Sequence, residues 1–286
     1  MRWVTVQTEE GPRACGVYQN EYVDVNAADP ALPSSVRELL GLGHEYQRQA
    51  WQALGRGPVR HDPENVKVLA PVPDPRKIVC IGLNYLDHAK ESGMEPPPEP
   101  ILFSKYPTAL LGHGGAIVLP PESSEVDYEA ELVVVIGRGG RRIPRGRAME
   151  HVGGYAVGHD VSARDWQLNK PGKQWMAGKT FDTFAPVGPE LVTPDEAPDP
   201  HSLGIRLRLN GQTMQDSNTK QLIFGVDALI AYLSTVFTLE PGDLIFTGTP
   251  PGVGMARKPP VWLKPGDAVE VEIDGLGTLR NTVVAG

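Results

Sequence analysis

Glycine and proline punctuate this chain too densely for a helical bundle. With 32 glycines and 28 prolines in 286 residues, about a fifth of the positions resist a regular helix, against a usual share of roughly an eighth. Glycine weakens a helix interior through backbone entropy, and proline removes a donor and clashes with the preceding turn. The hydrophobic share of 40% is too high for disorder. The breakers therefore belong in turns between many short strands. A chain of this length buries about three quarters of its unfolded surface, so it needs no disulfide or metal merely to fold.

Charge and cysteine usage exclude further classes. The formal net charge of −8 makes a nucleic-acid partner a poor fit. The two cysteines, Cys15 and Cys80, form no Cys-x-x-Cys, which excludes a zinc ribbon, and both read as buried free thiols. The opening residues, Met1 to Glu10, hold no long apolar core and turn acidic at once, unlike a secretory signal. No apolar run approaches the ~18 residues of a membrane helix. The expectation is a soluble, cytoplasmic protein with no membrane partner.

The fold class expected is α+β and β-rich, with a sandwich or roll in residues 71–286 and a small N-terminal α+β domain in residues 1–70. In the first part, Val4–Val6 and Tyr22–Val25 suit strands, Ser34 or Ser35 can cap a helix through Val36, Leu39 and Leu40, and His44 to Leu54 suits a second helix. The run Ala70-Pro71-Val72-Pro73-Asp74-Pro75 reads as the junction. Beyond it, Ile78–Gly82, Ala116–Leu119, Glu129–Ile136 and Tyr155–Gly158 are strand-like, Asn210-Gly211 and Asp274-Gly275 signal hairpins, and Val226–Phe237 is a helix.

Three carboxylates and one imidazole pair stand out. Residues two apart in a strand share a face, so Glu129 and Glu131 point together beside Val133 and Val135. Unpaired burial of both would cost several kcal/mol, which a hard divalent cation would offset. Taken alone, the pair also fits a solvated edge. Asp160 ends the strand Tyr155–Gly158-His159 and offers a third carboxylate. That donor set suits Mg²⁺, or Mn²⁺ and Ca²⁺, better than zinc, although His159 lies next to it. His88 and Glu91 are three apart on a short helix closed by Gly93. A Glu that accepts from one imidazole nitrogen raises the basicity of the other, which makes a general base. The pair also fits a surface ion pair. His44, His61, His113, His151 and His201 lack such a neighbour and read as structural or surface residues.

Five segments together resemble one family. They are Ile78-Val79-Cys80-Ile81-Gly82-Leu83-Asn84-Tyr85 with His88, Asp127-Tyr128-Glu129-Ala130-Glu131-Leu132, Asp160-Val161-Ser162-Ala163-Arg164-Asp165, Gly178-Lys179 with Phe181-Asp182-Thr183, and Thr247-Gly248-Thr249-Pro250-Pro251-Gly252-Val253-Gly254. In this order, over residues ~70–286, they resemble the catalytic domain of the fumarylacetoacetate hydrolase family. Within it the text is most similar to the domain-containing protein 2 subgroup and to hydrolases of 2,4-diketo-3-deoxy sugar acids. The resemblance implies that Glu129, Glu131 and Asp160 bind Mg²⁺. It implies His88 and Glu91 as a water-activating dyad on a mobile lid, with Lys179 at the reacting centre. Arg164, Gln167 and Thr249 are implied to line the substrate pocket, with Tyr85 beside the dyad. It also implies a homodimer or higher oligomer and a β-roll, and says little about residues 1–70.

The chemistry implied is enolate formation from a small 2-oxo acid. The dyad favours hydrolysis of the C–C bond of an acylpyruvate, with decarboxylation or keto–enol tautomerisation of oxaloacetate, isomerisation of a dienoic diacid, and a non-catalytic 2-oxo-acid or metal-binding module as alternatives. Arg164 and Gln167, three apart on a short helix, suit a carboxylate or polyhydroxyl chain. Lys170 and Lys173 read as a solvated loop, and Trp175 and Met176 as packing.

Overall fold

The computed structural model describes residues 1–91, 93–197 and 199–286. Its N-terminal part is a meander of β1 (Arg2–Thr8), β2 (Gly11–Tyr18) and β3 (Glu21–Asp24), then helices α1 (Val25–Ala28), α2 (Val36–Gly41) and α3 (His44–Ala53), and short strands β4 (Arg60–His61) and β5 (Lys67–Leu69). Ser35 caps α2 by accepting from the Glu38 amide, as its hydroxyl next to an apolar helix face requires. The rest begins with β6 (Ile78–Gly82), α4 (Leu86–Glu91), β7 (Ile101–Lys105), β8 (Leu110–Leu111) and β9 (Ala116–Leu119). It continues with β10 (Val126–Asp127), β11 (Ala130–Ile136), β12 (Val152–His159), β13 (Ser162–Ala163), α5 (Arg164–Asn169), α6 (Trp175–Lys179) and β14 (Ala185–Val192). It closes with the hairpin β15 (Gly204–Leu209) and β16 (Gln212–Asn218), α7 (Val226–Val236), β17 (Leu244–Phe246) and the hairpin β18 (Ala268–Ile273) and β19 (Gly277–Ala285).

Two sheets carry the layers, a mixed α+β arrangement consistent with a β-sandwich roll. The large one runs β4-β3-β2-β1-β14-β12-β11-β17-β6-β7, and the smaller runs β16-β15-β18-β19-β9. The strands of residues 1–70 join the large sheet, because β1 pairs with β14 through Arg2 opposite Val192. The two faces of β11 show how the layers meet. Ala130, Leu132 and Val134 pack with Ile205, Leu207 and Val271 of the smaller sheet. Val133 and Val135 pack with Trp3, Leu39 and Leu40 from the N-terminal part and with Cys80 and Phe246. Both cysteines are buried and unpaired. No helix among the described residues is long and apolar enough to cross a membrane.

Strand direction then positions a site. β11 is antiparallel to both β12 and β17, while β17 is parallel to β6. The start of β11 therefore lies at the same end of the sheet as the finishes of β12, β17 and β6. The segments gathered there are Glu129–Glu131, Asp160, the loop after Phe246 and the turn into α4.

Candidate active site

Glu129, Glu131 and Asp160 are all buried, and each offers an oxygen within 4.8 Å of the others. Both glutamates line one wall of a cavity of about 110 Å³, as their shared strand face requires. Asp160 stays beside them because its amide donates to the Glu129 carbonyl at 2.9 Å.

Two buried lysines and one arginine answer these carboxylates. Lys179 Nζ lies 2.8 Å from Glu129 Oε2 and 3.0 Å from Asp160 Oδ2. Burial opposes its charge, but Asp160 and Glu129 outweigh burial and raise its pKa. Arg164 Nη2 donates to Glu129 Oε1 at 2.6 Å, Nη1 to Gln167 Oε1 at 2.9 Å and Nε to Asp127 Oδ2 at 2.8 Å. The expected i, i+3 face of α5 is thus realised by a direct hydrogen bond. Burial pushes the Glu129 carboxyl up, but Lys179 and Arg164 pull it down to about 2. Glu131 has no such cation at contact distance. Burial, Asp160 and Glu129 together hold its carboxyl well above the usual range, against one hydrogen bond from the Gly248 amide at 2.8 Å.

Lys105 is a site residue that sequence reasoning missed. Its Nζ stands 2.6 Å from Asp160 Oδ1. An ammonium has three donors, and here they go to the carbonyls of Val161 (3.1 Å), Phe184 (2.8 Å) and Lys179. Asp160 Oδ1 therefore feels the charge yet receives no hydrogen bond. A buried, donor-free carboxylate oxygen beside two other carboxylates fits a hard divalent cation, and the all-oxygen donor set suits Mg²⁺, Mn²⁺ or Ca²⁺ better than zinc. His159 faces away, with both ring nitrogens buried and unpartnered. Burial lowers its pKa to about 3, so it stays neutral.

His88, on α4, lines the same cavity, and its Nδ1 lies 3.1 Å from Oε2 of Glu91, which is off the wall. Glu91 also accepts from the Gly252 amide at 2.9 Å and 3.2 Å. Gly93 follows α4 at a φ of 64°, the left-handed turn that glycine adopts most easily. Thr249 lines the cavity and accepts from Gln215 Nε2 at 2.9 Å, while Gln215 Oε1 holds the Ala130 amide. Gly248 has a φ of 102°, and a Cβ there would meet Asn84 Cβ at 2.8 Å, so no side chain fits where its amide reaches Glu131.

The structure brings His88, Glu129, Glu131, Arg164, Gln167, Lys179 and Thr249 to this one cavity. Tyr85, expected beside the dyad, has its ring fully buried in the core and does not line the cavity, and its hydroxyl has no partner. The residue after Asn84 turns inward because Asn84 clamps the backbone at Phe224 and Thr247. Trp175 packs as expected and also forms part of the cavity wall. Its ring lies edge-on to Phe103 with centroids 5.8 Å apart, and Gly82 makes room, since a Cβ there would meet Trp175 at 2.3 Å. Met176 does pack, its sulfur 3.5 Å from Ser104 Oγ. Lys170 and Lys173 are exposed and off the wall. Leu83, Met94, Phe103, Leu168, Val253 and Met255 complete an apolar half of the cavity. None of these apolar residues carried a chemical signal in the sequence.

Residues 77–284 match the family fumarylacetoacetate (FAA) hydrolase, C-terminal. A protein of Xenopus laevis named oxaloacetate tautomerase fahd2, mitochondrial, is 53% identical over 262 residues, covering 92% of this chain and 82% of that protein. The fumarylacetoacetate hydrolase of Exiguobacterium antarcticum superposes with a TM-score of 0.86 at 35% identity over the full length of both chains. The maleylpyruvate hydrolase of Sphingobium sp. SYK-6, solved with manganese(II) and pyruvate, does so with a TM-score of 0.82 at 32% identity, again over both full chains. With its matched domain, its carboxylate triad and its strand-rich α+β fold, the chain belongs to the fumarylacetoacetate hydrolase family.

Proposed function

We propose that this enzyme moves a proton between carbon and oxygen of a short 2-oxo acid, interconverting the keto and enol forms of oxaloacetate or a close analogue. The observation that carries the reading is the buried triad Glu129, Glu131 and Asp160, with both glutamates lining one small cavity beside Lys179 and Arg164 and Asp160 held to Lys179 at 3.0 Å. Relatives named oxaloacetate tautomerase, 50–53% identical over 92% of this chain, favour tautomerisation over the hydrolysis that the dyad alone suggests.

A divalent cation on the triad, Mg²⁺ in our reading, supplies Lewis acidity for charge developing on the 2-oxo oxygen. The chain's own groups do the rest. Lys179, kept protonated by Asp160 and Glu129, donates toward the same oxygen and lowers the cost of its charge. Arg164 spends three of its N–H groups on Asp127, Glu129 and Gln167, and its other two hold the substrate carboxylate. Thr249 offers its hydroxyl to the bound acid. His88 takes the C3 proton through Nε2, Glu91 at Nδ1 steadies the imidazolium, and the imidazolium then returns that proton to the 2-oxo oxygen, which completes the enol and restores neutral His88.

Hydrolysis of an acylpyruvate is a second reading. The same His88–Glu91 pair can take its proton from water, and the apolar half of the cavity would accept an acyl arm.

Ultraviolet absorbance of oxaloacetate enol tests the choice. With Mg²⁺ or Mn²⁺ the protein should speed the approach to keto–enol equilibrium without pyruvate release, and a chelator should abolish this. Pyruvate from oxaloacetate would replace tautomerisation by decarboxylation, and pyruvate from an acylpyruvate would favour hydrolysis. No effect on any 2-oxo acid would leave a binding module.

A further inference from the structure

Asp127 lies outside the triad and off the cavity wall, yet it is fully buried and saturated with donors. Its Oδ1 accepts from the Gly254 amide at 2.6 Å and from the Tyr128 amide at 2.8 Å. Its Oδ2 accepts from the Met255 amide at 3.1 Å and from Arg164 Nε at 2.8 Å. One carboxylate therefore ties the loop at 254–255 to the guanidinium that also holds Glu129. Two residues earlier the same loop gives its Gly252 amide to Glu91. The loop's glycines pack closely against their surroundings between these anchors. A Cβ at Gly254 would meet Val261 O at 1.9 Å and Asp127 Oδ1 at 2.6 Å, and one at Gly252 would meet Met214 O at 2.2 Å.

An unbroken path thus runs from Glu91 through Gly252, Gly254 and Met255 to Asp127, Arg164 and Glu129. We infer that Asp127 is a positioning residue that couples docking of α4 to occupation of the carboxylate and Arg164 end of the site. Whatever fixes Arg164 orders the loop, and the ordered loop presents Gly252 to Glu91. Coupling of this kind is reciprocal, so docked α4 tightens binding at Arg164. Buried charge-assisted bonds are strong enough to carry it. The inference rests on the proposed site, but its test uses no turnover.

Oxalate, a planar stand-in for a 2-oxo acid, is titrated with Mn²⁺ by calorimetry, and amide exchange is followed over residues 86–91 and 252–255. In the wild type, oxalate slows exchange in both segments. In Asp127→Asn, oxalate binds about tenfold more weakly, within the usual coupling range, and at saturation the protection of α4 is lost. The losses from Asp127→Asn and Glu91→Gln do not multiply in the double variant. If Asp127→Asn fails to fold, Met255→Pro deletes one donor and keeps the carboxylate. It should weaken coupling where Met255→Ala does not. Retained α4 protection in Asp127→Asn, or losses that multiply, would overturn the coupling alone. A wild type that takes up neither Mn²⁺ nor oxalate would overturn both this and the proposed function.

Discussion

Lys105 sets its ammonium 2.6 Å from Asp160 Oδ1 while giving its N–H groups to three backbone carbonyls. It therefore lends the triad positive charge without capping the oxygen. Lys105→Met removes a buried partner and should destabilise the fold by about 3–5 kcal/mol. The same change should tighten Mn²⁺ binding, because a cation no longer competes at Asp160. Denaturant titration and calorimetry read the two effects separately. Weaker metal binding in a folded Lys105→Met variant would contradict this placement.

Glu131 supplies the pH dependence. Burial and its two acidic neighbours raise its carboxyl pKa in the folded chain. Between the unfolded value of about 4.3 and that raised value, the native state holds a proton that the unfolded state has lost. Stability of the metal-free protein from this group therefore falls as pH rises through that window. Metal binding releases the proton, so the thermal shift produced by Mn²⁺ should grow with pH. In Glu131→Gln the metal-free protein should lose this slope, and the Mn²⁺ shift should vanish. A Mn²⁺ shift independent of pH from 5 to about 8 would count against a protonated Glu131.

His88→Ala should lower kcat by about 10²–10⁴-fold, the usual worth of a positioned general base, and leave Mn²⁺ affinity within about twofold. The imidazole meets Glu91 at 3.1 Å and is no member of the carboxylate cluster. A collapse of metal affinity would assign His88 to the metal instead.

Gly248→Ala should cost about 1–3 kcal/mol through overpacking, since its Cβ would stand 2.8 Å from Asn84 Cβ at a backbone angle glycine tolerates. Displacing that amide frees Glu131, so activity should fall at least about tenfold while Lys179 keeps its partners. Wild-type kinetics in Gly248→Ala would show that the Gly248 amide has no part in the site.

Local chemistry was legible in the chain as written. The spacing Glu129-Ala130-Glu131 before an apolar run shows two carboxylates on one strand face. The three-residue step from Arg164 to Gln167 yields their hydrogen bond, and the breakers mark hairpins at Asn210-Gly211 and Asp274-Gly275. These follow from backbone period and turn geometry, which act over a few residues. Tertiary structure alone decided which side chains share a cavity. Lys105 and Asp160 meet although 55 positions separate them, because the end of β7 packs against the turns that follow β12 and α6, where Lys105 also reaches the carbonyls of Val161, Lys179 and Phe184. Tyr85 turned into the core because Asn84 is clamped by residues 140 and 163 positions away. Trp175 of α6 reached the wall because Gly82, at the end of β6, leaves it space. Apolar and structural contacts of this kind depend on shape and on long-range register, and no spacing along the chain encodes either.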